Sequence, residues 1–408
     1  MKLRKENKLA IGITSLIIVF AVSALLLNQL MSGTVFNYGK AQAVKIKARD
    51  FVPPDTNQQF IKDNTRLIVV EDFHANRLNN NRSIHIFLPP SYYKGTVKKY
   101  PVLYVLDGKS VFDLSDWSKE SLNMHTTADR LISENKIKEL IIVGIDNIGE
   151  MRTSEYAHWD GTDMGKPVSG KGLLYEDFVI NDVMPFINKN FRTLSDRENT
   201  ALMGASIGGL ATFNIGYRNP DKFSKLAMMS PYLGWGDGKL YQMLNEGDYK
   251  GKKDIKMWID AGSKEDGFTN MAAEGILALL NNGYKYLDEV VAYEAPDGEH
   301  SERFWAQRVE PVLIYFYGSI GKPKSLELFT NNKISMSDKQ IKHINAVIKY
   351  DSGFKFTDLF GTVDVKNPEL LKIEGLGSGL IPLAEGTTKI TYSSVPGLKA
   401  DAEITITK

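Results

Sequence analysis

The stretch Gly204-Ala205-Ser206-Ile207-Gly208-Gly209 decides the fold of this chain. It follows the short apolar run Thr200-Ala201-Leu202-Met203 and precedes an apolar, helix-like stretch that ends at Asn219-Pro220. This order of strand, tight turn and helix is what a nucleophile elbow requires, because the serine occupies a strained turn and glycines relieve the crowding around it. The pattern predicts a serine hydrolase with Ser206 as nucleophile and the Ile207 N–H as an oxyanion donor.

The histidines are few enough to search for the general base by position. In hydrolases with this elbow the catalytic residues follow in the order serine, acid, histidine. Of the six histidines, only His300 and His343 follow Ser206. His343 lies in a segment that we predict to be a separate β domain. His300 lies in the polar turn 295–300, directly after a strand-like run, which is where open α/β sheets carry working residues, so we expect it to be the base.

The acid is expected in the loop that follows the strand between the nucleophile and the histidine. The run Ile255–Asp260 predicts that strand, and it continues into Ala261-Gly262-Ser263-Lys264-Glu265-Asp266. We expect Glu265 to orient the imidazole and to stabilise its charged form. Asp266 is the alternative acid and Asp260 a third candidate, because the sequence does not separate neighbouring carboxylates.

Several ordered sequence blocks surround these residues between about 62 and 320. They are 82–92 with its Leu-Pro-x-x-Tyr turn, 100–108 ending in Asp-Gly, 141–147, Arg152, Tyr156, Tyr175, Asp177, Phe178, Pro185, Ser230-Pro231, 262–265, Gly298, His300 and Trp305. These blocks resemble the esterase D family of α/β-hydrolases, which includes carboxylesterases, feruloyl and acetylxylan esterases, siderophore esterases and mycolyltransferases. The resemblance implies a mostly parallel central sheet with helices on both faces. It also implies that the backbone N–H of Lys109 is the second oxyanion donor.

Composition limits the other classes of function. A chain of 408 residues can hold a hydrolase of about 250 residues and a second domain. The formal net charge of +1, without a basic run interleaved with aromatic residues, gives no support for a nucleic-acid partner. The absence of cysteine excludes thiol nucleophiles, disulfides and cysteine-based zinc sites. No His-Glu-x-x-His or calcium-loop pattern occurs, and we expect neither a metal nor an organic cofactor.

The N-terminus predicts where the protein works. Residues 1–8 are basic, and residues 9–27 are nineteen consecutive residues without a charge. Such a stretch can cross a hydrocarbon core of about 30 Å as a helix. Positive charge is expected to stay in the cytoplasm, so a retained signal-anchor would place the rest of the chain in the periplasm or at the cell surface of a bacterium. Cleavage of this segment would instead give a secreted protein. Residues 28–60 are expected to be a linker.

The C-terminal part is predicted to be a different domain. The break at 318–323 separates a hydrolase at 61–321 from a tail at 322–408. Short strands are expected in the tail at 343–348, 371–373, 388–392 and 401–406, separated by turn residues, which favours a small β-sandwich. Through Val363–Glu369 and Ala384–Thr391 the tail resembles the bacterial Ig-like group 2 domain. Such a domain acts as a spacer or contacts cell-surface material.

Together these patterns predict an exported, membrane-anchored serine carboxylic-ester hydrolase that works through an acyl-enzyme. Trp159, Trp235 and Trp305 lie in or near loop segments that would rim the site, and they are candidate contacts for a small-molecule or glycan-linked ester. A siderophore trilactone esterase and an acyltransferase of the same family are the alternatives. A non-enzymatic alternative is an inactive hydrolase scaffold that binds a surface.

Overall fold

The structure, a computed structural model, describes residues 43–408 except 96, 114, 116–117, 266, 339–341 and 376–377. The predicted basic region 1–8 and the predicted membrane span 9–27 lie outside the described residues, so both stay predictions. Within the described part of the chain, no helix combines the length and the apolar character needed to cross a membrane.

Strands and helices alternate through the first three quarters of the chain. The strands there are β1 (Val44–Lys47), β2 (Leu67–Ala75), β3 (Asn80–Phe87), β4 (Val102–Leu106), β5 (Ile141–Ile145), β6 (Gly161–Asp163), β7 (Lys166–Val168), β8 (Thr200–Ala205), β9 (Lys225–Met229), β10 (Lys256–Gly262) and β11 (Val290–Ala295). The α-helices are α1 (Gln58–Asp63), α2 (Gly108–Phe112), α3 (Met124–Ser133), α4 (Arg152–Tyr156), α5 (Gly172–Asp177), α6 (Met184–Asn190), α7 (Ile207–Arg218), α8 (Trp235–Asn245), α9 (Phe268–Asn281) and α10 (Glu302–Tyr317). Short 3₁₀ turns occupy Ala48–Asp50, Tyr92–Lys94, Gly149–Met151 and Arg197–Asn199, and a π-helical stretch, Phe178–Val183, joins α5 to α6.

A nine-stranded sheet organises this region, in the order β1-β2-β3-β5-β4-β8-β9-β10-β11. Strand β3 runs antiparallel to both of its neighbours, and the other pairs are parallel. This is the mostly parallel sheet that the sequence predicts. Strand β1 comes from the stretch 28–60 that we expected to be a linker. It pairs Val44–Lys47 with Ile68–Glu71, so the described end of that stretch belongs to the sheet.

The sheet is buried on both faces, which explains why its central strands are nearly continuous apolar runs. In β4, Tyr104 packs into the core on one face, whereas Leu103 and Val105 pack into the core on the other. Helix α7 contributes Leu210 to the first core. The second core includes apolar residues of α10, which lies on the opposite face. Helices therefore cover both faces of the sheet, as predicted.

The C-terminal region is rich in β-structure. Its strands are β12 (Pro323–Phe329), β13 (Lys333–Ser335), β14 (Lys342–His343), β15 (Asn345–Tyr350), β16 (Lys355–Thr357), β17 (Thr362–Val365), β18 (Leu371–Glu374), β19 (Gly379–Pro382), β20 (Gly386–Ser393) and β21 (Lys399–Thr407). They form three small sheets, β12-β15-β16, β13-β21-β20-β17 and β14-β19-β18. The expected tail strands correspond to β14–β15, β18, β20 and β21, while the Ig-like assignment stays a prediction.

This region packs on the edge and one face of the large sheet. Phe354 lies against Trp258 of β10 and stacks on Tyr315 of α10, with ring centroids 6.2 and 5.7 Å apart. At the outer edge of β11, the Glu294 N–H donates to Thr357 Oγ1 (2.9 Å), and Asn345 Nδ2 donates to the Glu294 carbonyl (2.8 Å). Residues 43–408 accordingly form one compact unit, and the predicted boundary at 321–322 falls inside it.

Candidate active site

Ser206 occupies a sharp turn between β8 and α7. Its backbone has φ 58° and ψ −128°, a conformation that non-glycine residues rarely adopt outside functional sites. The Ser206 N–H donates to the Met229 carbonyl at 2.9 Å, which ties the turn to the end of β9. A Cβ on Gly204 would lie 2.4 Å from the Gly208 carbonyl oxygen, and a Cβ on Gly209 would lie 2.8 Å from Pro231. These glycines are needed because backbone and proline occupy the space around the turn.

His300 and Glu265 meet Ser206 at the same edge of the sheet. Glu265 follows β10 and His300 follows β11, and the carboxyl ends of these parallel strands lie side by side. His300 Nε2 is 3.0 Å from Ser206 Oγ, and His300 Nδ1 is 2.8 Å from Glu265 Oε2. The three residues form a continuous hydrogen-bonded series. The imidazole keeps 27% of its surface exposed, whereas the Glu265 side chain is fully buried.

The Glu265 carboxylate is held from several directions. Its Oε1 accepts hydrogen bonds from the Gly262 N–H (2.9 Å), Ser230 Oγ (2.8 Å) and Arg308 Nη2 (3.0 Å). Burial by itself raises the pKa of Glu265, but the hydrogen bond with His300 and the charge of Arg308 outweigh it, and the net effect lowers that pKa. Glu265 is therefore ionised at neutral pH.

The other two acid candidates have different positions. Asp266 lies outside the described residues. Asp260 is fully buried and accepts hydrogen bonds from Arg308 Nη1 (2.6 Å) and the Trp258 indole (2.7 Å). Burial raises the pKa of Asp260 to about 6. Its carboxylate is thus directed to Arg308, while Glu265 is directed to His300.

The two candidate oxyanion donors lie at helix N-termini. Ile207 is the first residue of α7 and Lys109 the second residue of α2, and first-turn amides point out of the end of a helix. The loops that carry them are adjacent, since a Cβ on Gly208 would lie 3.3 Å from Asp107 Oδ2. An anion between these two loops would meet the positive ends of both helices.

Asp107 joins these loops through a network of side chains. It lies in the left-handed region (φ 61°), and its carboxylate accepts from Asn147 (2.7 Å), from Arg152 Nε and Nη2 (2.7 Å each) and from Tyr156 (3.1 Å). Arg152 Nη2 also reaches the carbonyl of Ala205, one residue before Ser206 (3.3 Å). Burial raises the pKa of Asp107, but the charge and hydrogen bonds of Arg152 dominate and lower it.

The three tryptophans predicted to contact substrate differ in burial. Trp235 is 1% exposed and its indole N–H donates to the Trp159 carbonyl (2.9 Å). Trp305 is 5% exposed, and its ring packs edge-on against His300 at 4.9 Å. Trp159 is partly exposed. Trp235 and Trp305 therefore pack in the interior instead of forming a rim, and substrate contact by any of the three stays a prediction.

Sequence reasoning did not find Arg308, and it named Ser230 only within a matching block, without a role in the site. Arg308 bridges Glu265 and Asp260, and Ser230 bonds to Glu265. Trp305 and Arg308 are three residues apart on α10 and so share a face, but this spacing does not identify the partners of Arg308. In the part of the chain that the structure describes, no group of three or more histidine, aspartate or glutamate side chains is arranged to hold a metal ion.

Comparison with known proteins shows which family this chain resembles. The profile of the family described as "Putative esterase" matches residues 75–316. The uncharacterized protein YbbA of Bacillus subtilis is 28% identical over 153 residues, which are 37% of this chain and 56% of YbbA. An endo-1,4-beta-xylanase/feruloyl esterase of Xylanibacter ruminicola is 29% identical over 209 residues, which are 48% of this chain and 24% of that protein. The chain thus spans about half of the first relative and a quarter of the second.

Among solved structures, enterochelin esterase from Shigella flexneri superimposes with a TM-score of 0.50 and 18% identity. The alignment covers 62% of this chain and 58% of that enzyme. At this identity the likeness bears on the fold alone.

Proposed function

This chain belongs to the Esterase family, and from that premise we propose that it hydrolyses carboxylic esters through an acyl-enzyme formed on Ser206. His300 Nε2 takes the proton of Ser206 Oγ as the oxygen attacks the acyl carbonyl. Glu265 stabilises the imidazolium that forms, and the amides of Ile207 and Lys109 stabilise the oxyanion. His300 then gives its proton to the departing alcohol, and the same steps with water release the acid.

The observation that carries this proposal is the hydrogen-bonded series Ser206–His300–Glu265. Both bonds, 3.0 and 2.8 Å, lie in the range that direct proton transfer requires. The acid at the end of the series is buried and ionised. In this state it can orient the imidazole of His300 and stabilise the imidazolium that forms. An idle scaffold has no physical need for this arrangement beside a strained serine.

The location outside the cytoplasm is part of the proposal. The uncharged stretch 9–27, preceded by basic residues, supports an exported enzyme held to the membrane by a signal-anchor. In that location the C-terminal β-rich region would serve as a spacer or contact cell-surface material. An ester attached to a glycan is a suitable substrate there, and the relative named as a feruloyl esterase supports including an aromatic acyl group among the substrates tested.

The test uses the full chain in mild detergent. Hydrolysis of p-nitrophenyl acetate, butyrate and octanoate and of methyl ferulate is measured for the wild type, Ser206→Ala and His300→Gln, with labelling by a fluorophosphonate probe. Each substitution is expected to lower kcat by roughly 10⁴-fold or more and to abolish labelling, because the series acts as a unit. Ser133→Ala, an exposed serine at the end of α3, is the matched control and should behave as the wild type.

Other outcomes would change the proposal. Full labelling of Ser206→Ala would place the nucleophile elsewhere. Cleavage of a siderophore trilactone without cleavage of simple esters would favour the siderophore alternative, and transfer of the acyl group to an added alcohol in preference to water would favour an acyltransferase. A folded wild type that is neither labelled nor active on any of these esters would favour the surface-binding scaffold.

A further inference from the structure

Resting on the proposed function, we propose that Arg308 is a positioning residue of the same reaction. Held by Asp260, it keeps Glu265 ionised and fixed toward His300. None of the residues in the proposed triad performs this task, and Arg308 itself touches neither Ser206 nor His300 in the described hydrogen bonds.

One guanidinium contacts both buried acids through different nitrogens. Arg308 Nη2 donates to Glu265 Oε1 at 3.0 Å, and Nη1 donates to Asp260 Oδ1 at 2.6 Å. The Arg308 side chain is 1% exposed, and both carboxylates are fully buried. Because Oε1 of Glu265 faces Arg308, the other oxygen, Oε2, is the one that faces His300. The guanidinium thereby fixes the rotation of the carboxylate.

Ser230 completes the support from the end of β9. Its Oγ donates to Glu265 Oε1 and accepts from Arg308 Nη2 (3.1 Å) and the Trp305 indole (2.9 Å). Trp305 in turn packs on the His300 ring. Ser230 is fully buried and has φ 41°, a conformation that is maintained only when the surroundings dictate it. The network therefore supports both partners of the hydrogen bond between His300 and Glu265.

Charge explains why a cation is required at this position. The charged groups that face Glu265 are His300, Arg308 and, beyond the guanidinium, Asp260, and Lys355 of β16 lies near Arg308 and Asp260. In the adjoining loops, Lys264 and Asp297 pair with each other at the surface, at 3.0 Å. Without Arg308, two carboxylates would share one dry space, and such a pair holds a proton at a pH where separate acids would be ionised.

The expected pH dependence follows from this charge balance. Loss of Arg308 removes a cation that lowers the pKa of Glu265, so that pKa rises. Since the proposed reaction needs ionised Glu265 together with an unprotonated His300, a raised pKa of Glu265 moves the acidic limb of the kcat/KM profile to higher pH. Removing the Asp260 charge together with Arg308 eliminates the second carboxylate, so the limb moves back toward that of the wild type.

The experiment compares Arg308→Met, Arg308→Lys and the double variant Arg308→Met/Asp260→Asn in the full chain. The profile of kcat/KM is measured from pH 5 to 9 with p-nitrophenyl butyrate, and folding is followed by circular dichroism. Arg308→Met is expected to lose roughly 10–100-fold at pH 7, with its acidic limb shifted upward by about one pH unit or more. In the double variant most of this shift should be reversed, so that the acidic limb lies near that of the wild type. Arg308→Lys should keep the acidic limb of the wild type. Arg303→Met, an exposed arginine of the same helix, is the control.

Each result decides for or against the proposal. A folded Arg308→Met enzyme with the wild-type limb, whether fast or uniformly slow, would overturn it, because a merely structural role does not move the limb. If Arg308→Met fails to fold, Arg308→Gln, which is also uncharged, takes its place, and a folded Arg308→Gln enzyme with the wild-type limb would also overturn the proposal. An active wild type with an unshifted Arg308→Met overturns this inference alone. An inactive wild type overturns the proposed function and this inference with it.

Discussion

At the scale of single residues, Asp107 decides how the two candidate oxyanion loops are held together. Its carboxylate is the common acceptor for Asn147, Arg152 and Tyr156, and Arg152 continues to the carbonyl before the nucleophile. Preorganised amides stabilise a developing charge only if the loops that carry them do not move during the reaction. Asp107 therefore contributes to the proposed chemistry through position.

Asp107→Asn is expected to weaken the proposed reaction without abolishing it. Asparagine tolerates the left-handed backbone but carries no charge to hold Arg152. We expect kcat to fall by about 10-fold or more with little change in KM, because the lost support acts on the transition state. Steady-state kinetics with p-nitrophenyl butyrate measure this effect. Equal loss in Asp72→Asn, an exposed left-handed aspartate, would refute it.

The same substitution has a pH-dependent effect on stability. The pKa of Asp107 is lowered in the folded state, so its stabilisation is present above the ordinary aspartate pKa and is lost as pH falls through the folded value. At pH 7 we expect Asp107→Asn to lower the free energy of unfolding by about 1–3 kcal/mol. The difference in Tm between the two proteins should shrink below about pH 4. A difference that stays constant down to pH 2.5 would contradict this assignment.

At the scale of elements, the connection from β8 to α7 is a turn whose backbone packs closely at Gly204. Gly204→Ala would bring a Cβ within 2.4 Å of the Gly208 carbonyl oxygen and 2.7 Å of Thr212 Oγ1, and the Gly208 backbone cannot turn away as a side chain can. We expect the turn to shift and kcat/KM to fall by roughly 10²-fold, since displacement of a reacting atom by about 1 Å has that effect. Gly95→Ala is the control, because among the described residues no atom outside its chain neighbours lies within 4 Å of its Cβ. Fluorophosphonate labelling rates would measure the displacement directly, and an unchanged rate in Gly204→Ala would be the contrary result.

Local sequence signals predict the elements of this site better than they predict contacts between them. The elbow and the order of residues along the chain select Ser206, Glu265 and His300, which the structure brings within hydrogen-bonding distance. The role of Arg308 was not predicted, because its partners lie on β10 and in the following loop, more than 40 positions earlier in the chain. No local sequence pattern encodes that pairing. The strand at Val44–Lys47 was not predicted although it carries a local signal, the Val-Lys-Ile-Lys alternation. That signal is short and lies within a polar stretch.

At the scale of the whole molecule, the hydrolase region and the β-rich region share apolar core. Phe354 is fully buried between Trp258 and Tyr315, which belong to the large sheet and to α10. The sequence predicts the strands of the second region, yet it gives no indication of this packing, because the surfaces that meet are assembled from distant segments. The β-rich region thus packs directly against the sheet and the helix that carry residues of the candidate site.

Phe354→Ala is expected to destabilise the molecule by about 3–5 kcal/mol, as deletion of a buried aromatic ring leaves a cavity. Unfolding in guanidinium is followed by circular dichroism and by residual ester hydrolysis. The midpoints of the two transitions should shift together, since the two regions are expected to unfold as one. The control Val395→Ala alters a side chain that is 72% exposed and should leave both transitions unchanged. Loss of the β-rich signal at a lower denaturant concentration than activity would indicate independent domains.

The hydrogen bonds at Glu294 have a consequence for solubility. An outermost strand offers unpaired backbone groups to any other strand it meets, and proteins that leave such an edge bare tend to aggregate. The side chains of Thr357 and Asn345 form hydrogen bonds with the backbone N–H and carbonyl of Glu294 on β11. The opposite edge of the sheet, β1, carries the exposed side chains of Lys45 and Lys47. One edge is thus covered by the C-terminal region and the other carries charge. Trimming the chain at residue 321 to obtain a minimal enzyme would uncover the β11 edge and yield aggregates in place of a smaller soluble protein.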